Sequence, residues 1–437
     1  MQRYTDTDVF GIRRIIRYSR TVSMAISNIF LYTSLFTSLF FEIFLLITYF
    51  EIRDEIKFEK ENNGKNVKHF PTVSIIVPCY NEEKTVLATI DSILALDYPA
   101  DKLSLIVVDD GSKDRTREVL KQFENHKQIR IFAKENGGKH SALNFALERI
   151  DSELVGCLDA DSFVDQAALL RIVPYFDNNS IMAVTPSIKI HEPKTVLQYV
   201  QKVEYSWGIF LRRMLSSMDA LYVTPGPFSI FRTEVFRKLG GYRQAHHTED
   251  MEMALRMQKH GYRIANSHNA HVYTVGPAKL KGLYKQRVRW AYGFLNNAID
   301  YRDMYFNRKY GHIGMFILPM ATISIFSTLY AAGNLIWSLL GKIPEQMAKY
   351  EAVGFNFGAP HFAFNWFSMN TGMTFWITMM TILLTFVILF LSLTLANGKA
   401  KLGKDVFYYL TLYIFIVPLW LGKAVYSTIA RKDITWK

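Results

Sequence analysis

Long uncharged apolar runs and short Val/Ile-rich ones alternate along this chain with two different periods. Gly314 to Gly341 holds no charged residue, and neither does Gly372 to Ala396. Either can cross ~30 Å of hydrocarbon as a helix. Met24 to Phe50 is apolar apart from Glu42, and Val406 to Gly422 is uncharged with Pro418 inside it. The first reads as a membrane anchor, the second as a spanning or re-entrant helix. Between Val73 and Asp161 the pattern shortens. Val73–Cys79, Leu103–Asp110, Ile129–Lys134 and Glu153–Asp161 are compact apolar runs, as expected of strands buried on both faces of a parallel sheet. Val86, Ile90, Ile93 and Leu94 recur at helical spacing, with Asn81 as a candidate N-cap, and Gly137–Ile150 is a second helical stretch. Strand and helix in alternation predict an α/β domain.

The pattern divides the chain into a basic N-terminal segment (1–23), a transmembrane helix (24–50), a charged linker without apolar period (51–72) and an α/β domain (73–277). Interface helices (278–311), a transmembrane helix (312–341), a loop (342–371) and a transmembrane helix (372–396) follow. A short loop (397–405), a transmembrane or re-entrant helix (406–427) and a tail (428–437) complete it.

Composition narrows the partners. The 437 residues are 50% hydrophobic and 14% aromatic, with a formal charge of +12. Basicity alone allows nucleic acid, anionic lipid or phosphate-bearing substrates. The apolar runs supply a lipid bilayer, and neither a continuous basic patch nor a reading motif points to nucleic acid. Cys79 and Cys157 fall in different predicted strands without CxxC spacing, which speaks against a disulfide framework or zinc site and for a reduced domain. Lys399, Lys401 and Lys404 place their loop in the cytoplasm by the positive-inside tendency, and with it the α/β domain, leaving 342–371 extracytoplasmic. Arg13, Arg14, Arg17 and Arg20, like Arg431 and Lys432, run against that orientation. The first four suit an amphipathic helix on a membrane surface. Glu42 is an ionisable group within a span, read either as functional or as facing protein or headgroups near the end of a tilted helix.

In open sheets of this kind ligands bind beyond the carboxyl ends of the strands. Asp109–Asp110 follow one predicted strand, and Asp159 and Asp161 another. A single acidic pair there is commonly a turn or cap; two pairs at one sheet edge call for a cation. Oxygen ligands favour Mg²⁺ or Mn²⁺, and magnesium usually shares its few carboxylates with substrate phosphates. The stretch NGGKHS lacks P-loop spacing, and no GxGxxG follows the first strand. Lys139 reads equally as a phosphate contact or a solvated lysine at a helix start.

Six motifs in order, PCYNEE (78–83), DDGSKD (109–114), NGGKHSALN (136–144), DAD (159–161), TED (248–250) and QRVRW (286–290), resemble family-two glycosyltransferases. More narrowly, the chain is similar to the processive membrane synthases of cellulose, chitin, hyaluronan and poly-N-acetylglucosamine. The resemblance implies an α/β GT-A glycosyltransferase domain with a Rossmann-like, parallel-rich sheet, joined to a helical transmembrane region. It implies inverting transfer from a UDP-sugar, best guessed as UDP-N-acetylglucosamine, onto a growing glycan. Tyr80, Glu82, Asp109 and Asp110 would bind the nucleotide-sugar, with Lys139, Asp159, Gln286, Arg287 and Arg289. Asp161 and Asp159 would hold the metal, and Asp250 would be the general base. Gly226, Glu249 and Trp290 would meet the acceptor.

Those roles agree with the chemistry. Inversion needs a base on the side of the sugar opposite the leaving group, within roughly 3 Å of the attacking hydroxyl. A carboxylate far along the chain from the metal pair can supply it. Cations at the departing diphosphate stabilise the transition state more than the ground state. Trp290 offers a ring on which a sugar can stack and still advance; membrane-interface anchoring is the plainer reading of the same Trp and Arg residues. VTPGPFSIFR (223–232) aligns with the family's acceptor loop, and a plain structural turn competes there. The aromatic run Phe355 to Phe367 reads as exit lining or interface packing. Cytosolic nucleotide-sugars favour the cytosolic orientation. An accessory membrane subunit is left open. A transferase placing one sugar on a polyprenyl phosphate is the nearest alternative, and a non-catalytic transporter or scaffold the more distant one.

Overall fold

The computed structural model describes residues 6–62, 64, 67–354 and 372–432; the aromatic stretch Phe355 to Phe367 lies outside them. Helix α1 (Asp6–Asn62) leads into β1 (Val73–Cys79), α2 (Val86–Leu94), β2 (Leu103–Asp109), α3 (Thr116–Leu120) and β3 (Ile129–Ala133). Then come α4 (Lys139–Leu147), β4 (Leu154–Cys157), β5 (Ser162–Val164), α5 (Ala168–Ile172), β6 (Ile181–Ile190) and α6 (Val196–Ser217). Strand β7 (Ile230–Arg232), α7 (Glu234–Leu239), α8 (Glu249–Lys259), β8 (Arg263–Thr274) and α9 (Leu280–Asp300) close the α/β part. Helices α10 (Leu318–Val353), α11 (Met373–Asn397) and α12 (Lys404–Ile429) follow. The chain separates into two units, residues 1–46 with 323–388 and residues 47–322 with 389–437.

The larger unit is built on one mixed sheet of eight strands in the order β3-β2-β1-β4-β7-β6-β8-β5. The parallel half is the alternating region foreseen from the sequence: β1 pairs in parallel with β2 and β4, and β2 with β3. Every residue of β1 but Pro78 and every residue of β2 but Ser104 is buried, which explains why both strands read as unbroken apolar runs. Strand β7 runs antiparallel between β4 and β6, so the sheet is mixed rather than wholly parallel. Helix α6 starts on a capping box in which Thr195 and Gln198 answer each other's backbone N–H. Helix α12 packs against α6 and α9.

Local expectations differ from what is observed at three places, of which the first is that residues 342–353, read as loop, continue α10. Residues 51–62, read as linker, continue α1. Their charges lie on one face, where Arg53, Asp54 and Lys57 are exposed, while Ile52 and Ile56, four apart, are buried. Glu59 on the inner face accepts from Arg213 Nη2 at 2.9 Å and lies 2.8 Å from His268 Nδ1. Asn81 is not a helix cap. It sits at φ 59° with its Oδ1 accepting from Lys113 N at 2.8 Å, and α2 begins after Thr85.

In the smaller unit, Glu42 is buried and accepts from Thr385 of α11 at 2.6 Å. Phe30 packs on Tyr330, with ring centroids 3.9 Å apart. Among the described residues four helices are long and apolar enough to cross a membrane, within Ile29–Asn62, Ile313–Ala352, Met373–Asn397 and Lys404–Ile429. Pro418 lies inside the continuous helix α12.

Ile75 is fully buried in the core between sheet and helices. Ile75→Ala should destabilise the protein by about 2–5 kcal/mol, read as a lowered midpoint in thermal unfolding in detergent.

Candidate active site

Two loops meet beyond the carboxyl ends of β1 and β2. Asn81 N donates to Ser112 Oγ (2.9 Å), Glu82 N to Thr116 Oγ1 (2.8 Å) and Glu83 N to Asp114 Oδ2 (3.2 Å). Asp109 Oδ1 accepts from Ser112 N at 3.0 Å. These bonds hold PCYNEE against DDGSKD and leave the Tyr80 ring exposed at the rim. Asp110 is occupied differently. Its oxygens accept from Lys134 Nζ (2.7 Å), Gly137 N (3.1 Å) and Gly138 N (2.8 Å). It therefore fixes the NGGK loop, from which Lys139 starts α4.

Lys139 is where the motifs converge. Its ammonium lies 2.5 Å from Asp159 Oδ1 and 3.5 Å from Glu249 Oε1. Burial alone would lower its pKa, but Asp159 and then Glu249 hold it well above the ordinary lysine value. Asp159 and Asp161 share the end of β4. Burial first, then the charge of Asp159, raises the Asp161 carboxyl, against a hydrogen bond from Ser162 Oγ at 3.1 Å. Glu82 is likewise raised, by burial and then, against its bond from Thr85, by Asp161 and Asp159.

A small cavity brings Lys139 together with Thr224, Gly226, Tyr242, Glu249 and Asp250. Burial, then the adjacent Glu249, pushes the Asp250 carboxyl up to about 6, with Lys139 and Arg289 pulling it down. Thr224 Oγ1 donates to the Asp250 carbonyl at 2.8 Å, tying the acceptor loop to the start of α8. A methyl group on Gly226 would sit 2.6 Å from Lys139 Nζ and 3.2 Å from both Asp159 oxygens. A larger residue there would have to push the Lys139 ammonium and the Asp159 carboxylate aside, which is a stronger demand than a plain turn makes.

The QRVRW residues divide. Arg289 reaches the TED side, its Nη1 3.4 Å from the His247 carbonyl. Arg287 is buried and ion-paired at 2.6 Å with Glu204 of α6, its guanidinium 4.1 Å from the centre of the Trp290 ring. Glu204 also accepts from Tyr413 of α12 at 2.9 Å. Trp290 and Gln286 are half-buried on the same helix.

Sequence reasoning missed several positioning residues. Gly293 lets α9 lie directly on the TED loop, since a methyl there would meet Thr248 Oγ1 at a clashing distance. Asn297 donates to Thr248 Oγ1 at 2.9 Å. Asn144 pins Tyr242, exchanging two 2.8 Å bonds with its backbone. Glu204 stood alone in the sequence, with no motif around it. Gly293 is the one with a local signal, three residues past QRVRW on the same helix.

Acidic groups at the carboxyl ends of a Rossmann-like sheet, with a helix bearing two further carboxylates beside them, are the layout of a GT-A transferase. Residues 71–293 match the family model described as "Glycosyltransferase like family 2". The poly-beta-1,6-N-acetyl-D-glucosamine synthase of Staphylococcus aureus (strain COL) is 31% identical over 279 residues, covering 63% of this chain and 67% of that protein. The synthase of the same name from Staphylococcus epidermidis is 30% identical over 261 residues, or 59% and 62% of the two chains. Among solved structures, a mannosyltransferase from Pyrobaculum calidifontis in complex with GDP-Man and Mn2+ is similar in fold. Its TM-score is 0.57 at 20% identity, covering 90% of this chain and 99% of that one. The chain belongs to glycosyltransferase family two.

Gly226→Ala should lower sugar transfer at least about tenfold by displacing Lys139 and Asp159, since small misplacements at a reacting centre are costly. The thermal midpoint should stay near wild type; an unchanged rate would return Gly226 to the role of a turn residue.

Proposed function

We propose that this protein is a processive, inverting glycosyltransferase that polymerises a β-linked glycan from UDP-N-acetylglucosamine and passes it across the membrane. The observation that carries the reading is the convergence of Asp250, Glu249, Lys139 and Gly226 on one cavity beside the Asp159–Asp161 pair. Likeness to two poly-N-acetylglucosamine synthases supports the polymer and the donor. Four apolar helices support a multi-pass arrangement, and Lys399, Lys401 and Lys404 support a cytosolic catalytic unit.

In this reading Asp250 takes the proton of the acceptor hydroxyl as its oxygen attacks the anomeric carbon. A carboxylate held near pH 6 is ionised at neutral pH and still basic enough to accept that proton. Glu249, next in sequence and paired with Lys139, keeps the pKa up; Arg289 restrains it. Tyr80, Glu82 and Asp109 line the nucleoside side, and Trp290 offers its free face to the terminal sugar.

The residues fit a divalent cation. Asp159 and Asp161 repel each other, and burial first, with that repulsion added, raises the Asp161 carboxyl. Among the described residues no three metal-ligating side chains of His, Cys, Asp or Glu gather, which suits Mg²⁺ or Mn²⁺ taking one or two carboxylates and completing its shell with substrate phosphates. Such an ion would neutralise charge on the departing diphosphate. The mannosyltransferase of similar fold is in complex with Mn2+.

Product analysis tests the reading: detergent-solubilised protein, UDP-N-acetylglucosamine and Mg²⁺ or Mn²⁺ should give UDP and a long glycan. A product limited to one sugar on a lipid would refute processivity. Asp250→Asn should abolish transfer and leave UDP-sugar binding nearly intact. Because an elevated carboxyl is protonated below its pKa, wild-type kcat/KM should be present above pH 6 and lost as pH falls through about 6. An acid limb near pH 4 would remove Asp250 from the role. Chelation should stop turnover, and either ion should restore it.

A further inference from the structure

Arg212, on α6, carries a charge with no acidic partner among the described residues. Its Nε and Nη2 are shut off from solvent without a hydrogen-bond acceptor. The guanidinium folds back over Gly208, one turn earlier, where a methyl group would lie 3.4 Å from Nη1. The titratable groups that sense it are the phenols of Tyr205 and Tyr222. Burial lowers its pKa to about 10, which for an arginine marks a poor electrostatic environment. A buried unpaired guanidinium destabilises the resting fold. The other buried arginines on neighbouring elements are paired: Arg213 with Glu59, Arg256 with Glu252 and Arg287 with Glu204.

Position says what could answer the charge. Tyr205, Gly208 and Arg212 lie on one face of α6 at helical spacing. Tyr205 senses Arg287 and Glu204, and also the candidate metal ligand Asp161. Tyr222 immediately precedes the 223–232 loop and packs edge-on against Phe294 of α9, with ring centroids 5.9 Å apart. Arg212 is therefore flanked by two tyrosines, one beside Arg287 and Glu204 and the other just before the 223–232 loop. Among the described residues, the unmet polar atoms of α6 and α9 are of both kinds, including donors at Arg212 Nε and Nη2 and Arg287 Nη1 and acceptors at Gln201 Oε1 and Gln286 Oε1. Sugar hydroxyls and amides, which donate and accept, answer both kinds; a phosphate would answer only the donors. Aromatic side chains beside a charged fork suit a ring that presents an apolar face and polar edge.

We propose that Arg212, with Tyr205 and Tyr222, forms an acceptor subsite that binds the oxygen atoms of the growing glycan behind its terminal sugar. This rests on the glycosyltransferase reading above. Its consequence is specific: the residue holds product and does nothing for the donor.

The test is Arg212→Met, which keeps length and removes charge. UDP release by donor hydrolysis without acceptor should be unchanged. The KM for a β-linked N-acetylglucosamine pentasaccharide should rise about tenfold, as loss of a charge-assisted bond implies, and products should shorten. The thermal midpoint of the ligand-free protein should hold or rise, because an unpaired charge has gone. Unchanged KM and product length would overturn the subsite. So would parallel loss of hydrolysis and thermal midpoint, which marks a structural residue. Should the Met variant fail to fold, Arg212→Lys must show the same raised KM with normal hydrolysis, and an unchanged KM overturns the subsite. Inorganic phosphate that raises the midpoint of wild type but not of the variant, with no effect of the pentasaccharide, would reassign the site to an anion. If wild type yields only a glycosylated lipid, polymerisation fails separately. The subsite then stands or falls on whether Arg212→Met raises the KM for that lipid.

Discussion

Crowding of like charge at one sheet edge is the constraint around which the catalytic unit is organised. Asp159, Asp161, Glu249 and Asp250 come from two distant stretches of chain and converge beside a single ammonium, that of Lys139. Carboxylates so placed repel unless a cation lies among them. Lys139 serves from within the protein, and its position is fixed in turn: Asp110 holds the two glycines before it through their N–H groups, and Gly226 leaves room for it. The acidic motifs thus divide into residues that face the reaction and residues that hold the lysine in place. Asp110 belongs to the second group although it adjoins Asp109 in sequence.

A second organisation joins α8, which begins with Glu249 and Asp250, to the long apolar helix α12. Helix α9 touches the TED loop through Gly293 and Asn297, and α6 through the Arg287–Glu204 pair. Glu204 reaches on to Tyr413 of α12. The start of α8 is pinned from the other side by Glu252, which takes bonds from Arg256 at 2.8 Å and Tyr301 at 2.6 Å. Buried carboxylates each answered twice are rigid links. Tyr413, Glu204 and Arg287 thus link α12 to the face of Trp290 in three side chains.

The parallel half of the sheet was legible because burial on both faces leaves an unbroken apolar run, as in β1 and β2. The long apolar helices were legible for the same reason of composition. What could not be read depended on a partner distant in sequence. Residues 51–62 looked like a linker because Arg53, Asp54 and Lys57 are plainly charged, while the two isoleucines that dock the helix are too few to make a period. Asn81 had the chemistry of a helix cap, but a loop 32 residues on claimed its side chain. The acidic site residues stood out by type and place. The residues that position them, Glu204, Asn144 and Asn297, are single polar side chains whose meaning arises only from what they touch.

The same contrast separates Arg287 from Arg212. Both are arginines on helices that border the proposed acceptor path, and both are buried at their guanidinium nitrogens. Arg287 has Glu204 and therefore stabilises the junction of α6, α9 and α12 with or without substrate. Arg212 has only tyrosines, so the fold carries its desolvation without return until a ligand arrives. Asp161 beside Asp159 is in the same condition with the opposite sign. A ligand that relieves such a group binds the folded chain in preference to the unfolded one and so adds to its stability. Cation and glycan would each do so at a different end of the site. On that argument the resting enzyme carries unrelieved charge at the two places where the proposed reaction delivers a cation or hydrogen-bonding oxygen.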